Sequence, residues 1–237
     1  MLKISVAGIH IAIDNRFPFL QHHCREYLAS FDVPDITVSV TEEELKAERE
    51  ASPHAASDGY YESICAYRQI ALALPRFDAM VFHASVVEYE GKAFAFAAHS
   101  GTGKSTHTKL WLDVFGDRAR VINGDKPIFR RMDGVWHVFG TPWKGKEGWG
   151  SPISAPLTAL CFLERGEENR IAPLSMEETV TRLFSQVLLP TDREMAEKQL
   201  ALLDLLVGEA PSYLLHCNMS PEAALVAKSG MEKKEEE

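Results

Sequence analysis

With 237 residues, 46% of them hydrophobic and 25% charged, the chain has ordinary globular composition and enough length to bury a substantial core, which excludes disordered and fibrous classes. Its 25 basic and 34 acidic side chains give a net charge of −9, which argues against a nucleic-acid backbone as partner. The four cysteines, Cys24, Cys65, Cys161 and Cys217, form no C-x-x-C pair and read as reduced, buried thiols; with neither a secretory pattern at the N-terminus nor an apolar run of roughly 20 residues, the expectation is a cytoplasmic protein without a membrane partner.

Ile4, Val6, Ile9, Ile11 and Ile13 predict an opening hairpin or strand pair, followed by a helix around 18–29. Ile36 to Val40 alternates as a strand, and Thr41 with Glu44 is a capping-box start for an acidic helix. A loop rich in Ser, Ala and Pro then spans 51–59. It separates an expected N-terminal α/β lobe, 1–58, from a main domain, 59–230, with a charged tail over 231–237.

Tyr60 to Leu74 carries a helical period stopped by Pro75. Ala79 to Tyr89 and Lys92 to Ala98 read as two strands joined at Glu90-Gly91, and a helix follows over Lys104 to Phe115 with Gly116 as its stop. His107 on that helix reads as a solvent-facing residue. Further strands are expected at Arg120 to Asn123, at Ile128 to Arg131 and Val135 to Phe139 around Asp133-Gly134, at Leu157 to Leu163 and at Tyr213 to His216. Helices are expected over 176–188, over 192–207 and from Ser220 onward.

Between a strand and a helix stands Ala98-His99-Ser100-Gly101-Thr102-Gly103-Lys104-Ser105. Gly101 and Gly103 supply the backbone angles that turn successive N–H groups toward an anion, and the following helix adds its positive end. Lys104 can reach the outer phosphates of a nucleotide and the Ser105 hydroxyl can ligate Mg²⁺. The first position of the G-x-x-x-x-G-K-[ST] pattern holds Ala98 in this chain. Phosphate-binding contacts are thus expected from Ser100, Gly101, Thr102, Gly103, Lys104, Ser105 and Thr106, with His99 beside them.

This loop resembles the phosphate loop of ATP-dependent phosphoenolpyruvate carboxykinases and of HPr kinase/phosphorylase, and the stretch from about Phe82 to Arg131 looks like that kinase's core. The resemblance implies an α/β fold with a mixed sheet around the P-loop, with ATP and Mg²⁺ as cofactors. By it, His83 matches the histidine before the family's hairpin, and Asp125, at the end of Val121-Ile122-Asn123-Gly124-Asp125, matches the first of two aspartates; Lys126 stands where the second would be. Asp125 is then a metal ligand together with Ser105, or the group that takes a proton from the attacking hydroxyl. Such proteins include members of peptide-modification clusters, and the related kinases assemble into rings, which allows a homo-oligomer here.

The loop Gly140 to Gly150 gathers Trp143, Lys144, Lys146 and Trp149 among four glycines. It suits a cover over phosphate, with Lys144 as a nucleotide contact and Lys146 as the group that neutralises developing charge. The combined expectation is an ATP-dependent kinase acting on a hydroxyl of a protein, a peptide or a small alcohol. Carboxykinase-like phosphoenol chemistry and a non-catalytic nucleotide-binding regulator are the alternatives.

Overall fold

The computed structural model describes residues 1–53, 55–99 and 101–232. The alternating start forms the hairpin β1 (Leu2–Val6) and β2 (Ile9–Asp14), and β3 (Ile36–Ser39) joins β2 in parallel to complete a three-stranded sheet. The helix expected over 18–29 is reduced to α1 (Phe19–His23) and a 3-10 turn at Arg25–Tyr27. Its shortening has a cause in the sheet, because Leu28 bridges to Ile4 and the Ala29 N–H bonds the Lys3 carbonyl, so the chain must extend by then. Thr41 and Glu44 form the expected capping box on α2 (Glu42–Ala51), and α3 (Asp58–Ala73) packs Tyr61, Cys65, Ala66 and Ile70 into the core below the small sheet. Helix ends thus take both ends of the expected 51–59 loop, of which His54 lies outside the described residues.

The remaining elements are β4 (Ala79–Val81), β5 (Ser85–Tyr89), β6 (Lys92–Ala97), α4 (Lys104–Phe115), β7 (Ala119–Asn123), β8 (Ile128–Met132) and β9 (Val135–Phe139). Then follow β10 (Ser154–Arg165), β11 (Arg170–Pro173), α5 (Met176–Leu183), α6 (Arg193–Glu209), β12 (Ser212–Cys217) and α7 (Glu222–Glu232). They build a nine-stranded mixed sheet in the order β4-β8-β9-β10-β6-β5-β7, with β12 against the far half of β10 and β11 outside β12. The chain is a mixed α/β fold.

Four further elements depart from the sequence reading. The single strand expected over 79–89 is two strands with different partners, β4 against β8 and β5 between β6 and β7. At the break the N–H groups of Phe82 and His83 bond the carbonyls of Pro127 and Gln186, so the ladder is interrupted where hydrophobicity is not. Strand β10 runs to 12 residues because it changes partners along its length, from β9 to β6 to β12. The edge strand β11 was not visible in the sequence, since Arg170-Ile171-Ala172-Pro173 carries one large apolar residue and no alternation. Helix 176–188 also closes early, with a 3-10 turn at Phe184–Gln186.

The large sheet is covered on both faces. Phe94 and Phe96 of β6 pack with Trp111 and Phe115 of α4 and with the alanines of α7, whereas Ala93, Ala95 and Ala97 face Leu202, Leu203 and Leu206 of α6. Met231 and Glu232 belong to α7, and the rest of the expected charged tail, 233–237, lies outside the described residues. Cys24, Cys65 and Cys161 are buried free thiols and Cys217 is partly buried. No described helix is long and apolar enough to cross a membrane.

Candidate active site

Strand directions bring three chain segments to one edge of the sheet. Because β5 is antiparallel to both β6 and β7, the ends of β6 and β7 lie beside the beginning of β5. The glycine turn after β6, Gly124-Asp125 after β7 and His83 before β5 therefore meet. They enclose a cavity of about 410 Å³, lined by His83, Gly101, Gly103, Lys104, Ser105, Thr106, Asp125, Lys146 and their neighbours.

At the turn, Gly101 and Gly103 have φ of +78° and +130°. These are angles a side chain resists, which gives both glycines a backbone role. The Thr102 N–H donates to the His99 carbonyl at 3.2 Å, and Arg165 of β10 donates to the carbonyls of Gly101 at 2.7 Å and Thr102 at 3.4 Å. Lys104 folds back so that Nζ donates to the Ala98 carbonyl at 3.0 Å, and burial pushes its pKa down despite the nearby Asp125. Ser100 lies outside the described residues. His99 is exposed and is not part of the cavity wall.

The acid turn is built differently. Asn123, fully buried, accepts from the N–H groups of Asp125 at 2.8 Å and Lys126 at 2.7 Å, while its Nδ2 donates to the Thr141 carbonyl at 3.1 Å and hydroxyl at 3.0 Å. Thr141 in turn donates to the Lys126 carbonyl at 2.8 Å. This closed ring of bonds aims Asp125 at the cavity, where Oδ1 lies 3.1 Å from His83 Nε2 and Oδ2 lies 2.9 Å from Lys126 Nζ. Burial pushes the Asp125 carboxyl up, but the His83 hydrogen bond and the charge and hydrogen bond of Lys126 outweigh it and hold the group at about 2. Asp125 is thus an anion throughout the neutral range.

Asn123 and Thr141 escaped the sequence reading, although an asparagine two residues before the acid, able to close a local turn, is the signal that finds them. His107 is likewise corrected: it is buried against Phe96 with ring centroids 4.6 Å apart, and it accepts the Trp111 indole N–H at 3.1 Å. Four residues separate the two on α4, so the imidazole shares the buried face of Trp111.

The Gly140 to Gly150 loop is tethered at both ends. Trp143 is buried and donates from Nε1 to Ser63 of α3, and Gly150 bridges to Asn123. Its lysines part company. Lys146 is exposed at the rim of the cavity, whereas Lys144 turns away from the glycine turn, pairs with Glu26 and lines a second, larger hollow. Ser105 and Asp125 face the same space, and the described residues contain no cluster of three or more His, Cys, Asp or Glu able to hold a metal by themselves.

The family model described as SynChlorMet cassette protein ScmC matches residues 62–221, a span that contains all of these site segments. No curated protein matches the chain. Among solved structures, the HPr(Ser) kinase/phosphatase of Coxiella burnetii is similar at a TM-score of 0.40 and 8% sequence identity, over 64% of this chain and 95% of that one.

Proposed function

For this chain, a member of the ScmC family of SynChlorMet cassette proteins, we propose an ATP-dependent phosphotransferase that acts on a hydroxyl group. The observation that carries the reading is the convergence of Lys104, the Gly101 to Gly103 turn, Ser105 and the His83–Asp125 pair on one cavity at one sheet edge. Phosphoryl transfer requires little beyond positioning and charge neutralisation, and these groups are of the kind that supply both.

Lys104 would leave the Ala98 carbonyl for the outer phosphates, and the amides of the turn and of the start of α4 would cradle them. Ser105 and Asp125 offer two hard oxygen donors in a space roomy enough for water and phosphate oxygens, which suits Mg²⁺, a cation that commonly takes only one or two protein ligands. Bound there, Mg²⁺ would neutralise phosphate charge. Asp125, tethered by His83, would accept a hydrogen bond from the acceptor hydroxyl and fix its line of approach. The acceptor oxygen bonds to the γ-phosphorus as the bridging P–O bond breaks, and the hydroxyl proton passes to the phosphate product or water, because a carboxyl held at about 2 does not retain it at neutral pH.

With γ-labelled ATP and a panel of hydroxyl compounds, Lys104→Ala is expected to lose nucleotide binding, and Asp125→Asn to keep it while labelled product falls about 10³-fold. Full transfer by both variants removes the proposal. One observation favours a second reading, a nucleotide-binding regulator: His83 and Lys126 between them engage both Asp125 oxygens, the atoms a metal would need. ATP and Mg²⁺ bound tightly, without labelled product from any acceptor, would favour it.

A further inference from the structure

The larger hollow has not entered the mechanism. It measures about 760 Å³, within the range of small-molecule sites, and shares Asp125, Gly145 and Lys146 with the glycine-turn cavity. The two therefore adjoin at the carboxylate. Its walls come from the Trp143 loop, the Asp125 turn and Arg25-Glu26 together with α1 and α3, two elements in which the sequence displayed no chemistry.

Two features describe what it accepts. Aromatic rings dominate one side: Phe19 meets Tyr60 edge-on at 6.1 Å and stacks on His23 at 5.4 Å, and Tyr67 lies against Trp143 at 5.5 Å. Tyr60 stays exposed, so part of this ring surface is open to a ligand. The charged lining is cationic, with Arg25, Lys126, Lys144 and Lys146 against Glu26 and Asp125, in a chain whose net charge is −9. The cationic excess is local to this hollow. Burial, then Lys144 and His22, lower the His23 pKa, so its imidazole is a neutral wall element rather than another cation.

We infer that this hollow is the acceptor site, and that it takes a hydroxyl-bearing molecule with an aromatic ring and a carboxylate. Its ring lies among Phe19, Tyr60 and Tyr67, its carboxylate faces Arg25 and Lys144, and its hydroxyl reaches Asp125 where the two hollows adjoin. The inference rests on the phosphotransferase reading for its chemistry but not for its binding. A free hydroxylated aromatic acid and a peptide that presents the same groups share this chemistry.

Binding is measured first, by calorimetry without nucleotide, with para-hydroxyphenylacetate, its neutral amide, free serine and the tripeptide Phe-Ser-Glu as probes. The aromatic acid or the tripeptide should bind at least about tenfold more tightly than the amide or serine, the order expected for one stacked ring with one paired charge; the stronger of the two identifies the source. Tyr60→Ala should weaken that ligand about tenfold, and Arg25→Gln should abolish the preference for acid over amide, while the affinity for ATP stays unchanged. Equal binding of all probes, or no effect of either variant, overturns the acceptor site. Full transfer from ATP by both Lys104→Ala and Asp125→Asn overturns the kinase reading instead, so the two failures are distinguishable.

Discussion

The acid turn and the glycine turn face each other across one cavity, yet they are held by opposite means. Around Asp125 the fixing groups are buried side chains, Asn123 and Thr141, and Gly124 and Gly140 are there for space: a Cβ on Gly124 would lie 3.0 Å from the Lys144 carbonyl, and one on Gly140 would overlap the Ser151 carbonyl. At the other wall, Gly101 and Gly103 have positive φ, and a Cβ on either would meet no atom of the described residues within 4 Å beyond its chain neighbours. A charged group that must keep one orientation is set in a packed, fully bonded frame. The backbone that would wrap a phosphate under the proposed function is left open on its side-chain side, with its angles and a few main-chain bonds, those to Arg165 among them, to hold it.

The largest test of that contrast is Gly140→Ala. The new methyl collides with main chain at Ser151 and lies 2.7 Å from the Ile122 carbonyl, so β7 and the strap beside it must separate. A loss of at least about 3 kcal/mol in chemical unfolding is expected, together with loss of transfer activity. A variant with wild-type stability would show the frame to be soft.

The glycine-turn side has its own rigid part in α4, and pH reads it. Burial lowers the His107 pKa to about 4, below its ordinary 6.5. The folded state therefore resists a proton that the unfolded chain accepts, so the stability present above pH 6.5 is lost as pH falls toward 4. Unfolding free energies from urea titrations across that window should drop by on the order of 3 kcal/mol in total, and His107→Phe should flatten the slope while losing the bond to Trp111. A slope unchanged by the substitution would mean that other groups carry it.

Local signals explain what was legible in the sequence. The hairpins at Glu90-Gly91 and Asp133-Gly134 and the capping box at Thr41 are set by a few adjacent residues, and each appears as expected. The division of 79–89 depends on partners more than 40 residues away, Pro127 and Gln186, while the residues flanking the break stay buried; composition reports burial and not partners. The same limit hid the second hollow. Tyr60 and Tyr67 read only as apolar positions of a helical period, and only the docking of α1 and α3 beside the Trp143 loop turns them, with Phe19, into a lining.

A smaller effect is expected at Asn123. Its replacement by alanine leaves the N–H groups of Asp125 and Lys126 without their acceptor and removes the tie to Thr141. About 2 kcal/mol of stability should go, the usual cost of buried donors left unpaired, and transfer should fall further than stability accounts for as Asp125 loses its aim. Asn123→Asp, which keeps the acceptor oxygen, should restore part of the activity. If the two variants behave alike, the bonds to 125 and 126 do not position the carboxylate.

The smallest expected change in stability is at Gly101. Alanine there meets open space, so the cost is confined to holding a residue with a side chain at φ +78°, about 1 kcal/mol. That is a third or less of the loss expected at Gly140, although both substitutions add one methyl. Function should fall without the fold: a residue that drifts from positive φ swings its N–H away from the cavity, so nucleotide affinity should fall about tenfold in a chain that remains well folded. Matched melting and nucleotide titrations on the two variants separate the roles. If Gly101→Ala binds ATP as tightly as the parent chain, the turn does not bind phosphate through its backbone angles, and the open wall of the cavity requires another explanation.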